Sequence, residues 1–531
     1  MSEKKIQLEQ INLPKSQPES QVEPFESAKQ MLAIATLGTC LLLGVLGAFL
    51  FDGQSWGLNI ALFTWLLVGS LMFLRKLGQQ PLRYSQYALV ASGLFFAVTF
   101  VWRDSYVLNS LSLLGILLTV NLAFTLGTRQ QLLRFDVSEA FADFFSSTRY
   151  GIASYSGLIN RDIQWGKVKQ RWGNFGRAIL RGVIITIPLL MVFGYLLTAS
   201  DARFEEEVHG WLDWGMEPKA VARYLVTFIL CGWIAAALLR GSVLNQGLVT
   251  PERQPFPTWT LSSVEIVMML GAINILFLSF IAVQFTYFFG GDTLVQSPEG
   301  PTYADYARRG FFQLLTLAVL VITLLLLTHW LYKPSTQTEK RLYPFLAAMM
   351  VLMTMVIEAS AAHRMYLYIH AYGLTELRFY TSVFMAWLVV LFVWFSVTVL
   401  REQRAFFTFG AMLTAIVFIG VLHFVNPDAR IAEVNLAHLQ SGQQKVAAYV
   451  TSLSADAVPT LLTARSDLEK SHRCELWQRL QSHPVLQASD DWRYWHWARS
   501  QARAALLSPV SKPDCKVKAL KVTDAPKSNT N

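Results

Sequence analysis

The chain alternates long apolar runs with short polar connections over most of its length. Eleven runs stand out, near residues 31–51, 56–74, 84–102, 106–127, 178–198, 220–239, 264–289, 310–332, 343–362, 379–400 and 405–425. A bilayer core about 30 Å thick needs roughly 20 apolar residues at a rise of about 1.5 Å each, so every run has the length of one crossing. None shows the alternation of a barrel strand, and an open sheet would leave backbone groups unpaired in lipid. The pattern predicts an all-α, polytopic transmembrane helix bundle of about 11 spans.

The polar segments divide the rest. Residues 1–30, with Pro14, Pro18 and Pro24 and no apolar period, read as a disordered cytoplasmic tail. The first run ends AFLFDG without a small-residue cleavage site, which predicts a retained anchor. Asn426-Pro427-Asp428 stops the last run, closing a transmembrane domain at 31–425. Beyond it, IAEVNLAHL, CELWQRL and DWRYWHWARSQARAALL carry helical patterning. They predict a small C-terminal helical extracytoplasmic domain at 426–510, followed by a disordered tail at 511–531.

The connection at 128–177 is too long for a turn. Asp136 or Ser138 can cap a short helix that puts Phe141, Phe144 and Phe145 on one side. Trp165, Lys167, Lys169, Arg171, Trp172 and Arg177 then mix aromatic and basic residues, as suits a cytoplasmic interfacial segment against anionic lipids.

Composition agrees with this picture. Hydrophobic residues make up 53% of the 531 and charged residues only 15%, against about a quarter in ordinary soluble chains, and mean hydropathy is +0.36. A soluble enzyme is excluded. The net charge of +9 has the sign for nucleic acid, but its placement in a membrane chain argues against that partner. With the N-terminus inside, the inner segments carry 22 lysines and arginines and the outer connections 7, which predicts a cytoplasmic N-terminus and an extracytoplasmic C-terminus. Cys40 and Cys231 fall inside apolar runs as small hydrophobes, whereas Cys474 and Cys515 lie in the outer tail, where a disulfide is a candidate beside two free thiols.

Candidate chemistry gathers at the outer side. Arg308 and Arg309 open the eighth run and Arg378 precedes the tenth, positions where a cation opposes both the helix dipole and the charge bias. They call for anionic partners, and Asp305, Glu376 and Glu358 are the acids near the same boundary. Glu358 is the sharpest, because an unpaired carboxylate inside a span is unfavourable; it is salt-bridged, protonated or facing a wet cavity. His363 and His370, seven apart, share a helix face with Tyr366 between them. His363 with His423 is the one pair that could ligate haem, though lone histidines are more often structural. No Gly-rich phosphate loop, HExxH motif or clustered zinc ligands occur, so no catalytic residue, metal or cofactor is expected.

The strings TYADYARRGFF, HRMYLYIHAYGLTELRFYTSVFM and NPDARIAEVNL resemble a family of bacterial multi-pass inner-membrane proteins of unknown function, over about 260–455. The resemblance implies location and no activity. Three functions stay open. A non-enzymatic envelope sensor, scaffold or complex subunit would use the C-terminal domain for a protein partner, with Trp492, Tyr494, Trp495 and Trp497 as surplus aromatics that also suit core packing or a membrane interface. A transporter or lipid-handling protein would bind an anionic substrate at Arg308, Arg309 and Arg378. An intramembrane transferase would use Asp305 or Glu358 as general base.

Overall fold

The computed structural model describes residues 22–53, 55–125, 151, 153–163, 218–244, 261–289, 311–332, 336–401, 403, 406–440, 445–463, 468–487 and 490–508, with scattered positions between 181 and 200. Among the described residues, ten helices are long and apolar enough to cross a membrane. They are α1 (Val22–Leu50), α2 (Leu58–Leu77), α3 (Tyr84–Trp102), α4 (Tyr106–Thr125), α5 (Pro218–Val243), α6 (Ser263–Phe289), α7 (Phe311–Leu331), α8 (Gln337–Tyr372), α9 (Glu376–Thr398) and α10 (Phe407–Val425). Each coincides with an expected run. The eleventh, 178–198, is described only at scattered positions between 181 and 197, and these are helical. Among the described residues there is no strand, only one isolated bridge between Leu261 and Tyr332.

Two boundaries differ from the expected ones. Helix α1 starts at Val22, so residues 22–30 are helical where a disordered tail was expected. Pro24 sits in the first turn, where its missing N–H leaves no intrahelical bond unmade. Helix α8 runs for 36 residues, far beyond 343–362. Thr336 and Glu339 form a capping box at its start, Pro344 lies inside the helix without ending it, and the helix stops at Gly373, whose φ of 73° is left-handed. At about 1.5 Å per residue the helix is roughly 54 Å long, so it overshoots a bilayer core.

The spans form two bundles. Helices α1 to α5 surround a core that includes Leu71, Leu74, Phe96, Phe100 and Leu239. Helices α6 to α9 surround a second with Met350, Phe392 and Phe395. Helix α10 lies between them: Phe407 and Ala411 pack on the second core, while Met412, Ile416 and Ile419 pack on the first. The tightest pairing is α1 with α5, where a Cβ added at Gly47 would come within 2.5 Å of the Cys231 side chain. Small residues let helices approach this closely in lipid, where no hydrophobic force drives them together.

Left-handed Asn426 ends α10, and Pro427 opens α11 (Pro427–Gln440) directly. Helices α12 (Lys445–Val450), α13 (Val458–Thr463), α14 (Lys470–Gln481) and α15 (Trp497–Leu507) complete the C-terminal domain. Its core is not self-contained. Leu374, from the α8–α9 connection, is 8% exposed within it, and Phe379 of α9 packs against it.

Of the 128–177 connection, little beyond Ala153–Ile163 is described. There Leu158 and Ile163 are buried in the first core, and Asp162 pairs with Arg240 of α5 at 2.5 Å. This piece is packed into protein. Phe141, Phe144, Phe145, Trp165 and the basic residues of the expected interfacial pattern lie outside the described residues.

Candidate functional site at the domain junction and the cavity beside α10

Four connections meet under the C-terminal domain. The short α3–α4 connection supplies Arg103, Asp104 and Ser105. Arg103 donates from Nε to the His423 carbonyl at 2.8 Å and from Nη1 to Asp456 Oδ1 at 3.1 Å. The other Asp456 oxygen accepts the amides of Asp104 at 2.7 Å and Ser105 at 3.2 Å. Asp104 in turn holds Arg499 of α15 at 2.7 Å. One buried carboxylate therefore ties the C-terminal domain to the bundle through both backbone and side chain.

Asp428 sits beside it. The residue is fully buried, its Oδ2 accepts from the Ser454 hydroxyl, and its Oδ1 has no hydrogen-bond partner. Burial pushes its pKa up to about 7, with the charges of Glu376 and Asp456 adding to that and Ser454 opposing it. Burial likewise raises Asp456, against the Asp104 amide and Arg103, which lower it. Tyr380 reaches Ser105 at 3.4 Å, and the Glu376 amide donates to the Tyr449 hydroxyl at 2.7 Å. Asn435 clamps Leu374 with two bonds, from the Leu374 amide at 2.8 Å and to its carbonyl at 2.6 Å.

A second contact runs through Asp491–Trp497. Arg493 donates to the Phe49 carbonyl at 2.6 Å and pairs with Asp491 at 2.6 Å and Asp52 at 3.5 Å. The Leu58 amide donates to the Trp495 carbonyl at 3.3 Å, and His496 Nε2 bonds the Trp56 carbonyl. Buried Asn59 closes the receiving loop, reaching the Ser55 carbonyl at 3.2 Å and accepting the Gly57 amide at 2.9 Å. Burial lowers the His496 pKa, and Arg499 lowers it further.

Between the first bundle and α10 lies a cavity of about 950 Å³. Its walls come mainly from α2, α4, α5 and α10, with Trp387 of α9. They are largely apolar; Thr64, Asn121 and Thr408 are among the few polar members, and the buried Thr408 hydroxyl has no hydrogen-bond partner.

The residues singled out in the sequence fall as follows. Asp305, Arg308 and Arg309 lie outside the described residues. Glu358 is buried at 4% exposure, and neither carboxyl oxygen has a hydrogen-bond partner. Among the described residues, Arg378 takes no anionic partner of the kind expected of it. It donates to the carbonyls of Gly373 at 2.5 Å and Tyr372 at 3.2 Å, the negative end of α8, with its guanidinium 3.9 Å from the Tyr368 ring. Glu376 occupies the first turn of α9, the favourable end for an acid. His363 is exposed on α8, and Tyr366 and His370 stack edge-on at 4.6 Å. His423 is unavailable to haem, because its ring nitrogens bond Ser112 and the Ile419 carbonyl at 2.8 Å each. Cys40 and Cys231 are buried free thiols. Cys515 lies outside the described residues. Among the described residues, no group of three or more His, Cys, Asp or Glu side chains is placed to hold a metal.

Arg103, Asp456, Asp428 and Arg493 were not singled out in the sequence. Arg103 alone carried a signal, as the one cation of a connection expected on the outer side. The acids are too distant in sequence for spacing to join them.

The fold defines an α-helical multi-pass membrane protein. The chain belongs to the family described as Domain of unknown function (DUF4153), whose model matches residues 90–464. The match reaches well before the expected 260–455 and includes Arg103, Asp104, Asp428 and Asp456, but neither the Asp491–Trp497 segment nor the α1–α2 loop that receives it. No curated protein and no solved structure matches the chain significantly.

Proposed function

We propose that this membrane protein handles a lipid, taking the chains of an amphipathic molecule into the cavity between its first bundle and α10. The cavity of about 950 Å³ carries this reading, since it stands at the upper end of the roughly 300–1,000 Å³ of ligand pockets. Apolar cavities stay dry, so in a bilayer the available filling is hydrocarbon. The unpartnered Thr408 hydroxyl offers one polar contact in the first turn of α10. Arg308 and Arg309 remain candidates for an anionic head group, while Arg378 is withdrawn because carbonyls already occupy it. Among the described residues no hydrogen-bonding group reaches Glu358, and the transferase reading is not carried forward.

The test is native mass spectrometry of the full chain in mild detergent. Leu117→Trp and Ile416→Trp fill the cavity, and each should lower the bound lipid several-fold without lowering the melting temperature by more than a few degrees. An unchanged lipid load in both variants would overturn the reading.

A sensor role is the second reading. The buried carboxylates at the junction favour it, because they make docking of the C-terminal domain sensitive to protons. We also assign the chain to a bacterial inner membrane, with a cytoplasmic N-terminus, an extracytoplasmic C-terminal domain and anionic lipids against 128–177, on the lysine and arginine bias. A Cys474–Cys515 bond suits that compartment; Cys474 is disulfide-bonded, and Cys40 and Cys231 are accounted for as free thiols.

A further inference from the structure

Most of the Asp491–Trp497 segment's polar groups face the bundle, yet three of its rings do not. Trp492 is 52% exposed, Trp495 42% and Trp497 49%, while Tyr494 between them is buried. Scattered apolar residues on a surface need no explanation, but a cluster of three indoles does. Their position supplies one. Leu42, Val45 and Phe49 are each more than half exposed and follow helical spacing along α1, so they form a lipid-facing stripe on a membrane span. Phe49 ends that stripe, and the Trp492 ring lies 6.4 Å from it. The stripe continues from the span onto the C-terminal domain.

The backbone bonds fix the depth. Arg493 holds the carbonyl of Phe49, one residue from the end of α1, and the Trp495 carbonyl holds the first amide of α2. The three indoles therefore lie at the level where the spans leave the hydrocarbon. Other rings crowd the same level: Trp56 stacks on the exposed Tyr106 at 6.3 Å, and Trp495 meets Trp497 edge-on at 6.3 Å. Tryptophan and tyrosine gather at membrane interfaces because the ring body is apolar while the N–H or O–H reaches water and head groups.

We propose that Trp492, Trp495 and Trp497 seat the C-terminal domain in the lipid head-group layer, as an extension of the bundle's aromatic belt. The domain is then a peripheral part of the membrane surface on its side, not a module standing clear of it. Lipid is the occupant, because the ledge is continuous with a face that already meets lipid.

The experiment places an environment-sensitive fluorescent amino acid at 492, 495 or 497 of the full chain, one at a time, in phosphatidylcholine nanodiscs. Position 481, exposed at the end of α14, is the aqueous control. Nitroxide carried on the lipid near the head group should quench the three ledge positions at least threefold more than position 481, and aqueous iodide should show the opposite order. Iodide quenching at the ledge equal to that at 481 overturns the proposal. Protection from iodide without quenching by lipid nitroxide also overturns it, since a second copy or another protein would then cover the ledge.

Discussion

Arg103 and Asp456, 353 residues apart, form an ion pair of 3.1 Å whose carboxylate side chain is 1% exposed. The pair joins a three-residue connection between two spans to a short helical turn of the C-terminal domain. Removing one partner of a buried pair leaves an uncompensated charge, which typically costs about 3–5 kcal/mol. Arg103→Ala should therefore loosen the domain, read as faster proteolysis between residues 440 and 470 and a lower melting temperature. Exchanging the two residues should not restore it. Asp456 also accepts the amides of Asp104 and Ser105, which an arginine cannot do.

The same junction makes docking depend on pH. Asp428 ordinarily titrates near 3.8 and reaches about 7 in its buried position, so between those values the docked form holds a proton that the undocked form has released. Docking is then strongest below about pH 4 and weakens by about 1.4 kcal/mol per pH unit up to about 7, above which this group adds no further slope. Asp456 is shifted in the same direction. Arg103, Asp104 and Glu376 are the charged groups that act on the two acids, with the Ser454 hydroxyl bonded to Asp428 and Tyr380 close by. In Asp428→Asn the slope of melting temperature against pH between 4 and 7 should flatten markedly. A slope equal to that of the unaltered protein would show that Asp428 does not carry the effect.

Close packing of α1 on α5 predicts a different kind of sensitivity. Gly47 faces Cys231, and Gly44 faces Phe228, where an added Cβ would stand 2.9 Å from the ring and the backbone carbonyl. Gly47→Leu forces the helices apart, and overpacking of this kind costs about 1–3 kcal/mol. Gly38, on the same helix with open space around it, provides the contrast. Thermal unfolding in detergent should separate the two, with Gly38→Leu close to the unaltered protein.

The spans were legible because lipid imposes one rule along the whole chain: a crossing must be apolar, helical and about 20 residues long. Ten expected runs correspond to helices for that reason. Helix ends were less legible, as α8 shows, since HRMYLYIHAY is polar enough to leave the core yet continues the helix to Gly373. The junction was barely legible, since Arg103 alone among its residues carried a signal. Asp428 and Asp456 look like ordinary acids of a polar tail, and only the folded domain sets Asp456 on the α3–α4 connection with Asp428 buried nearby. Arg378 was singled out as a cation in an odd place that calls for an anion, but the partners found for it are backbone carbonyls, which carry no sequence signal.

Glu358 is the one residue whose sequence reading and structural surroundings pose a single question. It lies on α8 with both oxygens buried and unpartnered, and an ionised carboxylate in that position is unfavourable by several kcal/mol. A neutral isostere should be accepted there, so Glu358→Gln is expected to match or exceed the melting temperature of the unaltered protein. Glu358→Lys, which brings an obligate charge and greater length, should lower it by more than 5 °C. A lipid-soluble carbodiimide, which attacks neutral carboxyl groups inside membranes, should label Glu358 in nanodiscs, as read by peptide mass, and labelling at this site should vanish in Glu358→Gln. Failure to label while the protein stays folded, together with destabilisation by Gln, would instead place an unseen cation against Glu358.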